Sequence, residues 1–235
     1  RVRHSIQQQL MHGITRQDMV AEDLGMTSRT LQRKLGQEGV SYQKLLDEVR
    51  QKKQEIRNEI STFFDSLSAD QLEANTHIIE SRLFEFANFL ESKIVMLYVN
   101  AKNEVATDHI IKRSFEFGKI VVLPLFDTAK STIQLMKIDN PDKDLITGSR
   151  GILEPNPDKC KAVPMDCIDI AIVPGIAMDE KGGRIGPGDG IYDRIIPDLV
   201  RALQKNEPLH VRNPKAIRPW QHVLELLAGY LILGY

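Results

Sequence analysis

Cysteine is nearly absent: Cys160 and Cys167 are the only two in 235 residues. Their spacing fits no common zinc motif, and so few thiols cannot form a disulfide framework, so reduced structural thiols in a cytoplasmic setting are expected. Histidine is thin and scattered, at His4, His12, His77, His109, His210 and His222, and no pair has the spacing of zinc ligands. Long hydrophobic runs are missing too. The longest late one, Leu226 to Tyr235, is about ten residues where a membrane helix needs about 20. The chain opens on Arg1 with no signal-peptide pattern behind it, so a soluble protein is expected. An excess of one charge is also lacking. The formal net charge is −1, which gives no whole-chain pull toward nucleic acid or an anionic membrane.

What is present is an ordinary globular composition, 42% apolar, in a chain long enough for one main domain with smaller attachments. Texture divides it at residues 1–50, 51–194 and 195–235. In the first stretch Val20, Leu24, Leu31 and Leu35 recur at helical spacing around a turn at Gly25. The middle alternates helix and strand. Ile56, Ile60, Phe63 and Phe64 share one face of a helix over 52–65, and Ser68 with Gln71 makes a capping box for a second helix to about Glu91. Apolar runs at Ile94–Val99, Ile120–Leu125 and Ile168–Val173 read as strands, and Thr132–Ile138 alternates like another. Thr107 can cap a helix that ends at Gly118. Helices between apolar strands imply an α/β fold with a mostly parallel, covered sheet. Met96, Met136 and Met178 read as core filling.

After the last of these strands come five glycines within nine residues, Gly182, Gly183, Gly186, Gly188 and Gly190. Without Cβ atoms the backbone there can approach an anion closely, and a helix starting near Ile191 would aim N–H groups at it. Arg184 and Arg194 could add positive charge, and Asp193 could hold a magnesium ion. Neither the Walker pattern nor the dinucleotide glycine pattern is present. Spacing alone leaves a flexible surface loop as an equal alternative.

Order supplies more. Lys52-Lys53 with Arg57, Tyr98 with Glu104 to Thr107, Leu123-Pro124, Gly151-Ile152-Leu153-Glu154-Pro155, and Ile172-Val173-Pro174-Gly175 before the glycines form a series over residues 52–194. That series resembles the 5-formyltetrahydrofolate cyclo-ligase family. The resemblance implies closure of 5-formyltetrahydrofolate to 5,10-methenyltetrahydrofolate at the expense of ATP, through a phosphorylated formyl intermediate. It implies ATP contacts from Lys52, Lys53, Arg57, Arg184, Gly186, Gly188, Gly190 and Tyr192, with Arg184 and Tyr192 catalytic. Tyr98 and Glu104 would hold the folate, since a carboxylate can accept two parallel pterin N–H bonds, and Asp193 would sit at magnesium. Glu154 reads as architectural. The family usually has Gly-Tyr-Tyr-Asp-Arg at the loop's end. Here Ile191 replaces the first tyrosine, Asp189 adds an acid and Pro187 stiffens the loop, each of which implies weaker ATP binding. The family usually continues with a segment that completes the sheet, and the expectation is that the core here is without it.

The ends resemble other families. Residues 16–50 are similar to a helix-turn-helix of AraC-type regulators, which implies base contacts from Arg29, Gln32 and Arg33. Residues 1–50 hold eight Lys/Arg against six Asp/Glu, only mildly basic. The stretch from Asp193 through Val211–Glu225 is similar to CDP-glucose 4,6-dehydratase, without that family's NAD-binding glycine loop. The expectation is a mosaic whose core is an ATP- and magnesium-dependent cyclo-ligase impaired by truncation. The alternatives are a DNA-binding module or a folded inactive mosaic.

Overall fold

The computed structural model describes residues 2–11, 16–127, 132–178, 183–188, 190, 192 and 196. The expectations for Asp189, Ile191, Asp193, Arg194 and the tail lie outside these residues.

Four helices open the chain: α1 (Val2–Met11), α2 (Gln17–Asp23), α3 (Ser28–Gln37) and α4 (Tyr42–Ser66). Local chemistry sets their ends. The Thr27 hydroxyl accepts from Thr30 N–H at the start of α3, Ser41 does the same for Lys44 N–H at α4, and Gly25 turns the chain at φ +65°. Ile6, Val20, Leu31, Leu35, Leu45, Leu46 and Val49 bury together as one cluster. The helix expected over 52–65 is the second half of α4, so the break in texture at residue 50 falls inside one uninterrupted 25-residue helix. No proline or glycine stands there to stop it.

Next come α5 (Ala69–Glu85) and α6 (Ala87–Glu91). The capping box forms as expected, with Gln71 N–H donating to the Ser68 hydroxyl and Ser68 N–H to the Gln71 side chain. The single helix to Glu91 is a correction: it breaks at Phe86, which is extended at ψ 117°. The break lets Phe89 bury completely and meet Phe84 edge-to-face at 5.2 Å.

The sheet contains β1 (Ile94–Met96), β2 (Ile120–Asp127), β3 (Thr132–Ile138), β6 (Lys161–Ala162) and β7 (Ile170–Ala171), ordered β6-β3-β2-β1-β7. Helix α7 (Asp108–Glu116) connects β1 to β2, which pair in parallel, and β1 also pairs in parallel with β7. The mostly parallel expectation is corrected by β2–β3 and β3–β6, which are antiparallel. Only a few residues separate β2 from β3, and so short a link can reverse the chain but cannot carry a parallel crossover. The α/β class with flanking helices stands. Helix α8 (Pro141–Asp144) leads into a hairpin of β4 (Leu145–Thr147) and β5 (Leu153–Pro155), and β8 (Ala177–Met178) pairs with β9 (Arg184–Ile185). Val95, Met96, Leu97, Val121, Val122 and Leu123 are fully buried at the sheet's centre. Met96 and Met136 are core as expected, whereas Met178 lines a cleft.

Thr107 precedes α7, but its hydroxyl does not cap the helix; it donates to the Tyr98 carbonyl at 2.6 Å. Glu80 on α5 is buried and accepts from His109 (2.7 Å) and Arg113 (2.9 Å) on α7, tying the two helices together. Both cysteines are free thiols. Among the described residues no helix is long and apolar enough to cross a membrane.

Candidate active site

In an open sheet, ligands collect beyond the carboxyl ends of strands where the connections diverge. Here β1 is flanked by β2 on one side and β7 on the other, so that place lies beyond the ends of β1 and β7. A cleft of about 470 Å³ opens there. Its walls include Phe64 of α4, Ile79 of α5, Tyr98 and Glu104 after β1, and Gly175 and Met178 after β7.

The loop after β1 is built by its own side chains. Ala101 N–H donates to Glu104 Oε2 at 2.8 Å, which orients the carboxylate. Asn103 holds a left-handed φ of 63° and donates to Ser61 of α4 at 3.0 Å, and Lys102 pairs with Asp65 at 3.2 Å. Tyr98 is 4% exposed and its hydroxyl donates to the Val105 carbonyl. Burial first, then the nearness of Glu104 and Tyr192, pushes its phenol well above the ordinary range, so it stays protonated.

The glycine segment docks on α4. Arg57 Nε donates to the Gly186 carbonyl at 2.9 Å, and a Cβ at Gly188 would lie 3.5 Å from the same guanidinium. Gly188 (φ +109°) and Gly190 (φ +66°) hold left-handed backbone that other residues adopt only under strain. Arg184, 7% exposed, donates to the Pro174 carbonyl at 2.5 Å and lies under Gly186, where a Cβ would stand 2.9 Å from Nη1. It braces the loop from below. Its guanidinium lies 5.9 Å from the buried Tyr192 ring, which meets Phe126 of β2 edge-to-face at 5.9 Å.

Arg57, Arg184, Gly186, Gly188 and Tyr192 are thus brought together at the glycine segment, and Tyr98 with Glu104 at the cleft. Helical spacing puts Lys53, Arg57, Ser61 and Phe64 on one partly covered face of α4, while Lys52 is exposed. Gly190 is described, whereas the magnesium candidate Asp193 is not. Among the described residues no three His, Cys, Asp or Glu side chains gather as a metal site. Arg29, Gln32 and Arg33 are exposed on α3, in the separate helical cluster.

Glu154 is architectural, as expected. It is 3% exposed, Phe126 N–H donates to it at 3.5 Å, and its carboxylate fills the space a Cβ at Gly148 would need. Burial raises its pKa, while the Phe126 N–H and Arg150 act the other way. Two residues were not anticipated. Phe126 and Arg150 join Glu104 and Tyr192 around a second, narrow gap of about 10 Å³. Arg150 reaches it only because the β4–β5 hairpin folds back onto β2, and nothing local to residue 150 announces that.

Comparison with known proteins agrees with this geometry. The chain is 28% identical over 166 residues to a probable 5-formyltetrahydrofolate cyclo-ligase of Caenorhabditis elegans, covering 68% of this chain and 80% of that protein. The NMR structure of Aquifex aeolicus 5,10-methenyltetrahydrofolate synthetase superposes with a TM-score of 0.54 at 30% identity, over 62% of this chain and 72% of that one. A shorter match, 49% identical over 60 residues, is to CDP-glucose 4,6-dehydratase of Salmonella typhimurium, covering 26% of this chain but 17% of that protein. The model of the 5-formyltetrahydrofolate cyclo-ligase family matches residues 49–214, starting within α4 and running past the boundary expected at 194. With its glycine segment braced on α4 and Glu104 set beside the switch-point cleft, the chain belongs to the 5-formyltetrahydrofolate cyclo-ligase family.

Proposed function

We propose that the chain is a ligase that converts 5-formyltetrahydrofolate to 5,10-methenyltetrahydrofolate at the expense of ATP. The observation that carries this reading is the docking of the glycine segment on Arg57 within reach of Tyr192, with Glu104 lining both the cleft and the narrow gap that Tyr192 closes.

The chemical difficulty is that an amide-like formyl oxygen is a poor leaving group. ATP supplies the phosphoryl group that makes it a good one. The neighbouring folate nitrogen then attacks the formyl carbon, loses its proton, and phosphate departs. The protein's part is positioning and charge stabilisation. Glu104, oriented by Ala101 N–H, accepts pterin N–H bonds. Protonated Tyr98 forms the cleft wall. Lys53 and Arg57 supply cations on the nucleotide side, Lys52 being set off from that face, and the amides of Gly186, Gly188 and Gly190 line it. Arg184 acts there chiefly by holding the loop's shape, and Tyr192 closes the reacting centre. Magnesium at Asp193 belongs to the same reading. Residues 1–50 we read as an appended helical unit of helix-turn-helix shape, and 195–235 as a dehydratase-like tail, neither being the source of activity.

The test is direct. Protein, ATP, magnesium and 5-formyltetrahydrofolate should give the methenyl product, followed by its absorbance. Arg57→Met should lower kcat/KM about a hundredfold, as loss of one preorganised donor does. Glu104→Gln should raise KM for the folate about tenfold with little change for ATP. No turnover, together with no ATP-dependent rise in melting temperature, would overturn the reading.

A further inference from the structure

Helix α4 touches both halves of the site with one face. Arg57, Ser61 and Asp65 follow one another at every fourth residue, so their side chains rise along the same side of the helix over about 12 Å. At the first step Arg57 Nε donates to the Gly186 carbonyl of the glycine segment at 2.9 Å. At the second, Ser61 Oγ accepts from Asn103 Nδ2 at 3.0 Å, and at the third Asp65 pairs with Lys102 at 3.2 Å. Asn103 immediately precedes Glu104, whose carboxylate accepts from Ala101 N–H at 2.8 Å. No proline or glycine interrupts α4 between these contacts, so the spacing between them is fixed by the helix itself.

We infer that Asn103 and Ser61 are positioning residues that hold Glu104 in register with the glycine segment, so that folate and nucleotide meet at a separation set by one face of α4. The inference rests on the cyclo-ligase reading above. Among the described residues Asn103 is the one non-glycine in left-handed backbone, at φ 63°. Asparagine tolerates that region better than most side chains, but glycine tolerates it at no steric cost. What asparagine adds over glycine there is the amide that reaches Ser61. The Lys102–Asp65 pair is a weaker tie, because both side chains are more than half exposed, at 78% and 57%, and water screens them. The part-buried Asn103–Ser61 bond therefore carries the register. Group transfer between two bound molecules is sensitive to such a setting, since a misplacement of about 1 Å can cost about a hundredfold in rate.

Kinetics of the full chain test the link. The wild type, Asn103→Gly, Ser61→Ala, the double variant and Ser61→Thr are compared on 5-formyltetrahydrofolate and ATP, with melting temperatures checking that each folds. Asn103→Gly keeps the left-handed turn and removes the amide, so the register loosens while the backbone stays in an allowed region. It and Ser61→Ala should each lower kcat about tenfold and leave KM for ATP within about twofold, since Arg57 and the glycine segment are untouched. The double variant should be no slower than either single, because both changes cut the same bond. Ser61→Thr keeps the hydroxyl and should retain most of the wild-type kcat. An unchanged kcat in Asn103→Gly, whatever its melting temperature, would show that the bond only stabilises the fold. Losses that multiply in the double variant, or Ser61→Thr as slow as Ser61→Ala, would show that the two residues do not act as one link. Any of these results overturns the inference. A wild type that does not turn over sinks the cyclo-ligase reading instead, and this inference with it.

Discussion

The two buried clusters are built on different terms. The helical one, from Ile6 to Val49, joins residues close in sequence through helices of which α3 and α4 are capped by Thr27 and Ser41. The sheet cluster, from Phe84 to Tyr192, gathers residues more than a hundred positions apart, and the candidate site gathers them over a longer span, with Arg57 of α4 touching Gly186. Helix α4 serves both: Leu45, Leu46 and Val49 pack into the first cluster, whereas Arg57 and Phe64 face the second site. A unit held by local contacts can be added to a fold without disturbing chemistry that depends on distant ones.

The strongest way to break that contrast is to hollow out each cluster in turn. Phe89→Ala, at a fully buried ring, should cost about 4 kcal/mol and abolish turnover as the sheet loosens, which thermal unfolding and the methenyl assay would show. Leu31→Ala, at 1% exposure in the helical cluster, should cost about 3 kcal/mol in unfolding of that cluster and leave kcat within about twofold. An equal loss of activity in both variants would mean that the clusters are one cooperative unit.

Smaller changes sharpen the difference. Glu80→Gln should destabilise the sheet unit by about 2 kcal/mol, because the amide keeps one acceptor oxygen where the carboxylate offers two and removes the charge that faces His109 and Arg113. Burial alone would raise the Glu80 pKa, but the hydrogen bonds and charges of His109 and Arg113 outweigh it and hold the carboxyl below its ordinary 4.5. The stability this pair adds is therefore complete above that value and is lost as pH falls through the range below it. Acid unfolding of the wild type should show that loss, and Glu80→Gln should flatten it. At the weak end, the exposed Arg3–Glu48 pair bridges helices at 2.8 Å. Arg3→Ala should cost no more than about 0.5 kcal/mol, and less in high salt.

Much was legible because its causes are local. The capping box at Ser68 and Gln71, the turn at Gly25, β3 over Thr132–Ile138 and the buried runs at Ile94 and Ile120 depend on neighbours in the chain. The break at Phe86 was hidden because neither glycine nor proline marks it; the demand comes from Phe89 filling the core. The antiparallel pairing of β3 was legible in the short link after β2 but not in its alternation, which reports which face is buried and says nothing of strand direction. Within the site, order alone brought Arg57, Tyr98, Glu104 and the glycines into one hypothesis.

The sequence by itself determined the α/β class, the capping box at Ser68 and a family signature dense enough to name a chemistry, since these follow from spacing and residue type. Only the tertiary structure decided that Arg184 lies beneath the glycine segment and that Arg150 enters the gap between Glu104 and Tyr192. Each of those depends on how far chain folds back upon itself, and a contact across a hundred residues leaves no periodicity to read.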